Sequence, residues 1–213
     1  MNNFDIIAPI YDFLAKLVFG KALIHSQTYF LSQVKAGSQI LIIGGGTGKV
    51  LDYFNSLSSP LSIVYVEKSA RMLDLAKKRG PFVNMEIRYV HGDERSVPPD
   101  KYDVIFTAFF LDVFIEKHLV GVIRLLNGSL KKNGKWLVTD FVNTPIFWQK
   151  WLVRLMYRIF KTTTNLESNT LLDFDIFLIH SGLKRISYKG FYFNMMQSAV
   201  YEKTDRIALF EES

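Results

Sequence analysis

The chain has 213 residues, 49% of them apolar, with 26 Lys plus Arg against 20 Asp plus Glu and no cysteine. That length suits one domain with a sizeable core, and the composition excludes a disordered chain. The missing cysteines exclude disulfide scaffolds, thiolate metal sites and cysteine nucleophiles. The formal charge of +6 favours anionic partners in principle, but the cations are dispersed as on an ordinary basic soluble protein.

The opening MNNFDIIAPIYDFLAKLVFG carries Asp5 and Asp12 without a leading basic cluster, so it does not read as a secretory signal. No charge-free apolar run reaches the roughly 18 residues a membrane span requires. QILII (Gln39 to Ile43) is a buried-strand candidate, followed at once by GGGTG and a helix-period segment from Lys49 to Leu57. SIVYVE (Ser62 to Glu67) is a second strand, and Ser69 N-caps a helix that Gly80-Pro81 stops. MEIRYVHGD (Met85 to Asp93) and KYDVIFTAFF (Lys101 to Phe110) are the third and fourth strands. Glu116 to Leu130 is a helix that KKNG terminates, and Lys135 to Phe141 is a fifth strand. Alternating strands and helices with short links predict a parallel sheet covered on both faces, a doubly wound α/β fold. Beyond it lie an aromatic, basic helix from Phe147 to Phe160, a polar break and a helix from Leu171 to Ser181. Leu183 to Phe193 and Ser198 to Lys203 then pair as an antiparallel hairpin.

The glycine loop fails two familiar patterns. A P-loop needs a glycine five residues before Gly48 and Ser or Thr after Lys49, and the chain has Ile43 and Val50. A dinucleotide fingerprint starting at Gly44 and Gly46 finds Lys49 where its third glycine belongs, which disfavours an NAD-dependent dehydrogenase. What remains is GxGxG at Gly44, Gly46 and Gly48 between a strand and a helix whose free N–H groups can meet a carboxylate. Glu67 ends the next strand about 20 residues on, where a carboxylate accepts both hydroxyls of a ribose and repels a 2′-phosphate. Asp93 ends the third strand, placed to face an adenine amino edge. The expected ligand is an adenosine-type molecule with a short anionic tail.

GGGTG, VEKSARML, the GDE turn and YDVIFTAFFLDVF together resemble the class I S-adenosylmethionine-dependent methyltransferases. FDIIAPIYD (Phe4 to Asp12) is similar to the start of their ubiquinone/menaquinone-biosynthesis-like (type 11) branch. The resemblance covers residues 4 to 141 plus the final hairpin. It implies a Rossmann-like doubly wound seven-stranded sheet of order 3-2-1-4-5-7-6 with strand 7 antiparallel. It also implies S-adenosylmethionine as cofactor, with Gly44, Gly45, Gly46 and Gly48 beside the methionine part and Glu67 on the ribose. Lys68 and Met72 would flank the adenine, Asp93 and Glu94 would meet its polar edge, and Thr107 would border the sulfonium. Tyr11 would lie in a lid over the methyl group as a positioning residue. The organisation implied is one domain: a helical lid over 1–36, a cofactor-binding core over 37–141, a substrate-side insertion over 142–182, and a closing hairpin and tail over 183–213. One position departs from the family, which usually has an acid where Ile42 stands.

Methyl transfer from a sulfonium needs alignment in a dry pocket more than a general base, and no catalytic triad is visible. His25, His91, His118 and His180 lack metal-ligand spacing, so no metal is expected. His91 reads as a turn residue and Asp112 as a surface or capping one. IFWQKWLVRLMYRIFK (Ile146 to Lys161) reads as the roof of an acceptor pocket or, in the alternative, as a peripheral membrane contact. The expected reaction is methylation of a small, hydrophobic or aromatic acceptor in the cytoplasm. The alternative is a non-catalytic relative that binds the nucleoside or a partner, which Ile42 supports. A nucleic-acid methyltransferase is disfavoured, because TAFF stands after strand four and no nucleic-acid module is visible.

Overall fold

Gln39–Ile43 (β1), Leu61–Glu67 (β2), Met85–His91 (β3), Tyr102–Ala108 (β4) and Leu130–Phe141 (β5) are parallel strands in a computed structural model that describes residues 19–152 and 171–204. Leu183–Phe191 (β6) and Met196–Lys203 (β7) form the closing hairpin, and β7 inserts antiparallel between β5 and β6. The seven strands run in the order β3-β2-β1-β4-β5-β7-β6, as expected. β1 and β4 are adjacent although they are not consecutive, so the chain reverses its winding there and leaves a crevice at the strands' C-terminal ends.

Strand residues alternate between the two faces. Ile40 and Ile42 join Tyr65 and Phe106 in one apolar cluster with Leu51 and Phe54 of Lys49–Asn55 (α2) and Leu73 and Ala76 of Ala70–Lys77 (α3). Leu41 and Ile43 join Trp136 and Val138 in another, against Leu119, Ile123 and Leu126 of Glu116–Ser129 (α4) and Phe174 and Leu178 of Phe174–His180 (α5). An earlier helix, Ala22–Thr28 (α1), lies near β5 and β7. Its Ser26 carbonyl accepts hydrogen bonds from Ser198 (2.6 Å) and Thr139 (3.2 Å), which face each other across those strands.

Several boundaries differ from the sequence reading. KKNG does not separate helix from strand: α4 ends at Ser129 and β5 begins at Leu130, opposite Tyr102. Pairing then breaks and resumes at Lys135 opposite Val104. The break is held down because the Lys131 ammonium bonds both Asp103 oxygens at 3.0 Å and Asn133 takes the left-handed backbone (φ 59°) that asparagine tolerates. α5 starts three residues later than expected, where Asp173 accepts from the Asp175 amide and sets the cap. Of the expected aromatic helix, 147–152 is helical and the remainder lies outside the described residues, as does Tyr11. Among the described residues no helix is long and apolar enough to cross a membrane.

Phe54 is fully buried and meets the Phe106 ring edge-on at 5.5 Å, joining α2 to the sheet beneath the glycine loop. Phe54→Ala is expected to cost about 3–5 kcal/mol of stability, measured by denaturant unfolding.

Candidate active site

The loop after β1 is held from β2. The Glu67 side chain is 7% exposed, and one carboxylate oxygen accepts from the Gly46 amide at 2.9 Å while the other accepts from the Ser69 amide at 2.8 Å. The Tyr65 hydroxyl donates to the Gly46 carbonyl at 2.9 Å, so both polar groups of that peptide segment are tied to one strand. Gly46 reaches this geometry with φ 62°, a region costly for a residue with a Cβ. Among the described residues a Cβ at Gly46 would meet only the Met72 sulfur, at 3.9 Å. At Gly45 and Gly48 a Cβ would instead strike the Tyr65 ring (2.5 Å) and Ala76 (2.7 Å), so those glycines serve close packing. The loop, Glu67 and Met72 thus lie together at the C-terminal ends of β1 and β2.

Other expected residues fall unevenly around them. Ser69 caps α3 through the Met72 amide and sets Met72 beside the loop. Lys68 has an exposed side chain, and its carbonyl pairs at 3.1 Å with the ring of His91, which ends β3 instead of lying in the turn expected from the sequence. Asp93 caps the 3-10 turn Glu94–Ser96 and binds the Arg95 guanidinium at 2.6 Å; that hydrogen bond holds its carboxyl below the ordinary range. Its carboxylate is therefore already engaged at the turn where Glu94 also lies. Thr107 is fully buried and its hydroxyl accepts from the Trp136 ring nitrogen at 3.0 Å, inside the α4 side of the core. The Thr107 hydroxyl therefore does not open on the loop, and what that strand offers the crevice is the turn after it. Among the described residues no His, Cys, Asp and Glu cluster could hold a metal.

In that turn the Phe110 ring lies directly on Gly44, where a Cβ would come within 2.6 Å of it. The preceding Phe109 has φ 53° and packs on Phe141 at 4.9 Å, in an apolar cluster with Phe19, Tyr192, Met195 and Met196. The two rings thus serve the cofactor loop and an aromatic cluster at the ends of β4, β5 and β7. Sequence reasoning missed what holds them. Asp140, fully buried at the end of β5, accepts on one oxygen from the amides of Leu111 (2.8 Å), Phe110 (3.3 Å) and Asp112 (3.3 Å). Its other oxygen accepts from the Phe141 amide at 2.9 Å. Burial pushes the Asp140 carboxyl well up, as does the Asp112 carboxyl hydrogen-bonded to it. The available signal was an acid in TDF, within an otherwise apolar strand end.

Residues 41–136 match a family model described as a methyltransferase domain. The ubiquinone/menaquinone biosynthesis C-methyltransferase UbiE of Stutzerimonas stutzeri is 31% identical over 147 residues, covering 65% of this chain and 56% of that protein. The chain thus spans little more than half the length of this relative. Among solved structures, the mitomycin 7-O-methyltransferase MmcR superposes with a TM-score of 0.66 at 16% identity, over 87% of this chain and 55% of that one. A chain from the complex between the Haloferax volcanii Trm112 methyltransferase activator and a putative methyltransferase gives 0.70 at 11% identity, over 96% and 99%. The strand order is that of the class I methyltransferases, and residues 41–136 match a methyltransferase domain, the class whose cofactor is S-adenosylmethionine. Over 65% of its length the chain is similar to the ubiquinone/menaquinone biosynthesis C-methyltransferases.

Burial raises the Glu67 carboxyl from its ordinary value near 4.5, against the pull of the Ser69, Gly46 and Lys68 amides. Its contribution to stability is therefore full below that value and is lost as pH rises through the higher folded one. Relative to Glu67→Gln, the wild type is expected to be most favoured at acid pH and to lose ground as pH rises above about 4.5, read from paired thermal melts across pH.

Proposed function

We propose that the protein transfers a methyl group from S-adenosylmethionine to a small, hydrophobic or aromatic acceptor by in-line displacement in a water-poor pocket. The observation that carries this reading is the Glu67 carboxylate beside Gly46. The carboxylate accepts from backbone amides on both oxygens, and we read its remaining acceptor capacity as the site of a ribose hydroxyl. The cofactor supplies an electrophilic methyl on its sulfonium; the chain's work is to hold it, align the acceptor and exclude water. Gly44 and Gly46 let the loop pass beneath the methionine part, and Met72 offers an apolar surface for the adenine. Asp93 and Glu94 remain candidates for its polar edge, Lys68 for its flank and Thr107, through its backbone, for the sulfonium side.

The acceptor class follows from the neighbouring cluster. Half-buried Phe109 and Tyr192 pack on buried Phe141 and Phe19 next to the loop that bears Phe110, and an aromatic setting of this kind suits a flat apolar ring. The relatives are C-methyltransferases of quinone biosynthesis, so an electron-rich hydroquinone is the first acceptor to test. Exposed Phe147, Trp148 and Trp151 beside Lys150 support a peripheral membrane contact on the same side, as such an acceptor would require. The lid role of 1–36, with Tyr11 as its positioning residue, belongs to this proposal.

Fully buried Ile42, where the family usually places an acid, favours a second reading: binding of the nucleoside without turnover. Titration calorimetry separates loss of binding from loss of chemistry. Micromolar affinity for S-adenosylmethionine and S-adenosylhomocysteine is expected, with none for NAD, and at least about a tenfold loss in Glu67→Ala. Absence of binding would defeat the first reading. Binding without methylation of a hydroquinone panel would favour the second.

A further inference from the structure

The turn after β4 occupies a backbone path that it does not select by itself. Phe109 is a bulky residue at φ 53°, a conformation that persists only where surrounding contacts impose it. Phe110, Leu111 and Asp112 then present three successive amides that open the 3-10 turn Leu111–Val113 and have no partner within a helix. All three converge on one oxygen of Asp140, a residue about 30 positions later in the chain. The Phe109 amide is fixed from the same strand, donating to the Thr139 carbonyl at 2.7 Å. β5 therefore sets the whole turn, and the turn sets Phe110 on Gly44, where the ring stacks edge-on against Phe114 at 5.1 Å.

We propose that Asp140 is a positioning residue for cofactor binding: by gathering the amides of Phe110, Leu111 and Asp112 it holds the Phe110 ring on Gly44 and keeps the glycine loop in its ligand-ready shape. This rests on the methyltransferase reading above. Asp140 itself touches no ligand, because it is fully buried and its oxygens are taken by backbone amides and by the Asp112 carboxyl. Its influence runs through one side chain, and that is what makes it testable. An asparagine at this position keeps one acceptor oxygen but turns an NH2 toward either the three converging amides or the Phe141 amide, where two donors would face each other. The turn would loosen without leaving a cavity.

The test is a double-mutant cycle on S-adenosylhomocysteine affinity, measured by calorimetry for the wild type, Asp140→Asn, Phe110→Ala and the double variant. Each single change is expected to weaken binding about tenfold, and the double variant to bind no more weakly than the poorer single one. A merely structural role for Asp140 would instead multiply the two effects to about a hundredfold, and that result overturns the proposal. Unchanged affinity in Asp140→Asn overturns it as well. Should Asp140→Asn fail to fold, the wild type provides the reciprocal measurement: bound S-adenosylhomocysteine must slow hydrogen exchange of the Leu111 amide, and no slowing overturns the proposal. Failure of the wild type to bind S-adenosylhomocysteine overturns the methyltransferase reading and this proposal together. Wild-type binding with multiplicative variants overturns this proposal alone.

Discussion

A carboxylate only 7% exposed must be met by hydrogen-bond donors or give up its charge, and Glu67 is met by the backbone of Gly46 and Ser69. Much of the cofactor side follows from that requirement. The Gly46 amide can point back at β2 only if the loop turns through a left-handed conformation, and Tyr65 then takes the carbonyl of the same residue. The Tyr65 ring fills the space where a side chain at Gly45 would lie. On the other side, the Ser69 amide serves Glu67 while its hydroxyl caps α3, which carries Met72 to the loop. One buried acid thus links a strand end, a glycine turn and a helix start.

The other half of the crevice is built by the same physics with different parts. Asp140 is an acid without solvent contact, satisfied by backbone amides, and the segment it organises carries aromatic rings instead of glycines. Phe110 reaches back to Gly44, so the two buried acids act on opposite sides of one loop. Phe109 faces away into the cluster with Phe141 and Phe19. The switch between β1 and β4 is where these two systems meet, which explains why a doubly wound sheet places its ligand there.

Much of this was legible before any coordinates. The apolar runs in QILII and SIVYVE marked buried strands because a sheet covered on both faces favours near-continuous apolar strands. Ser69 was legible as a cap because its chemistry is local. KKNG misled for the opposite reason: its fate depends on Asp103, a distant partner that anchors Lys131 beside the sheet. The place of Glu67 at the end of β2, beside the glycine loop, was legible from spacing, while Thr107 has its hydroxyl facing Trp136, since the side to which a strand residue points depends on register. Asp140 was invisible as a functional residue because its partners are backbone amides, which no residue type advertises.

Ile42 shows how a missing acid can leave the loop supported. It is fully buried beside Tyr65 and Phe106 in neighbouring strands, so a carboxylate there would need donors that this apolar cluster does not offer. In this chain the hold on the loop comes from β2, through the Tyr65 hydroxyl and the Glu67 carboxylate, and from the Phe110 ring above Gly44. Those contacts account for the shape of the loop without an acid on β1. They supply no extra charge for the ammonium of a methionine tail, so the electrostatic contribution of that group must come from elsewhere or be forgone. Ile42 therefore leaves β1 without a charge at this point and leaves the hold of β2 on the loop intact.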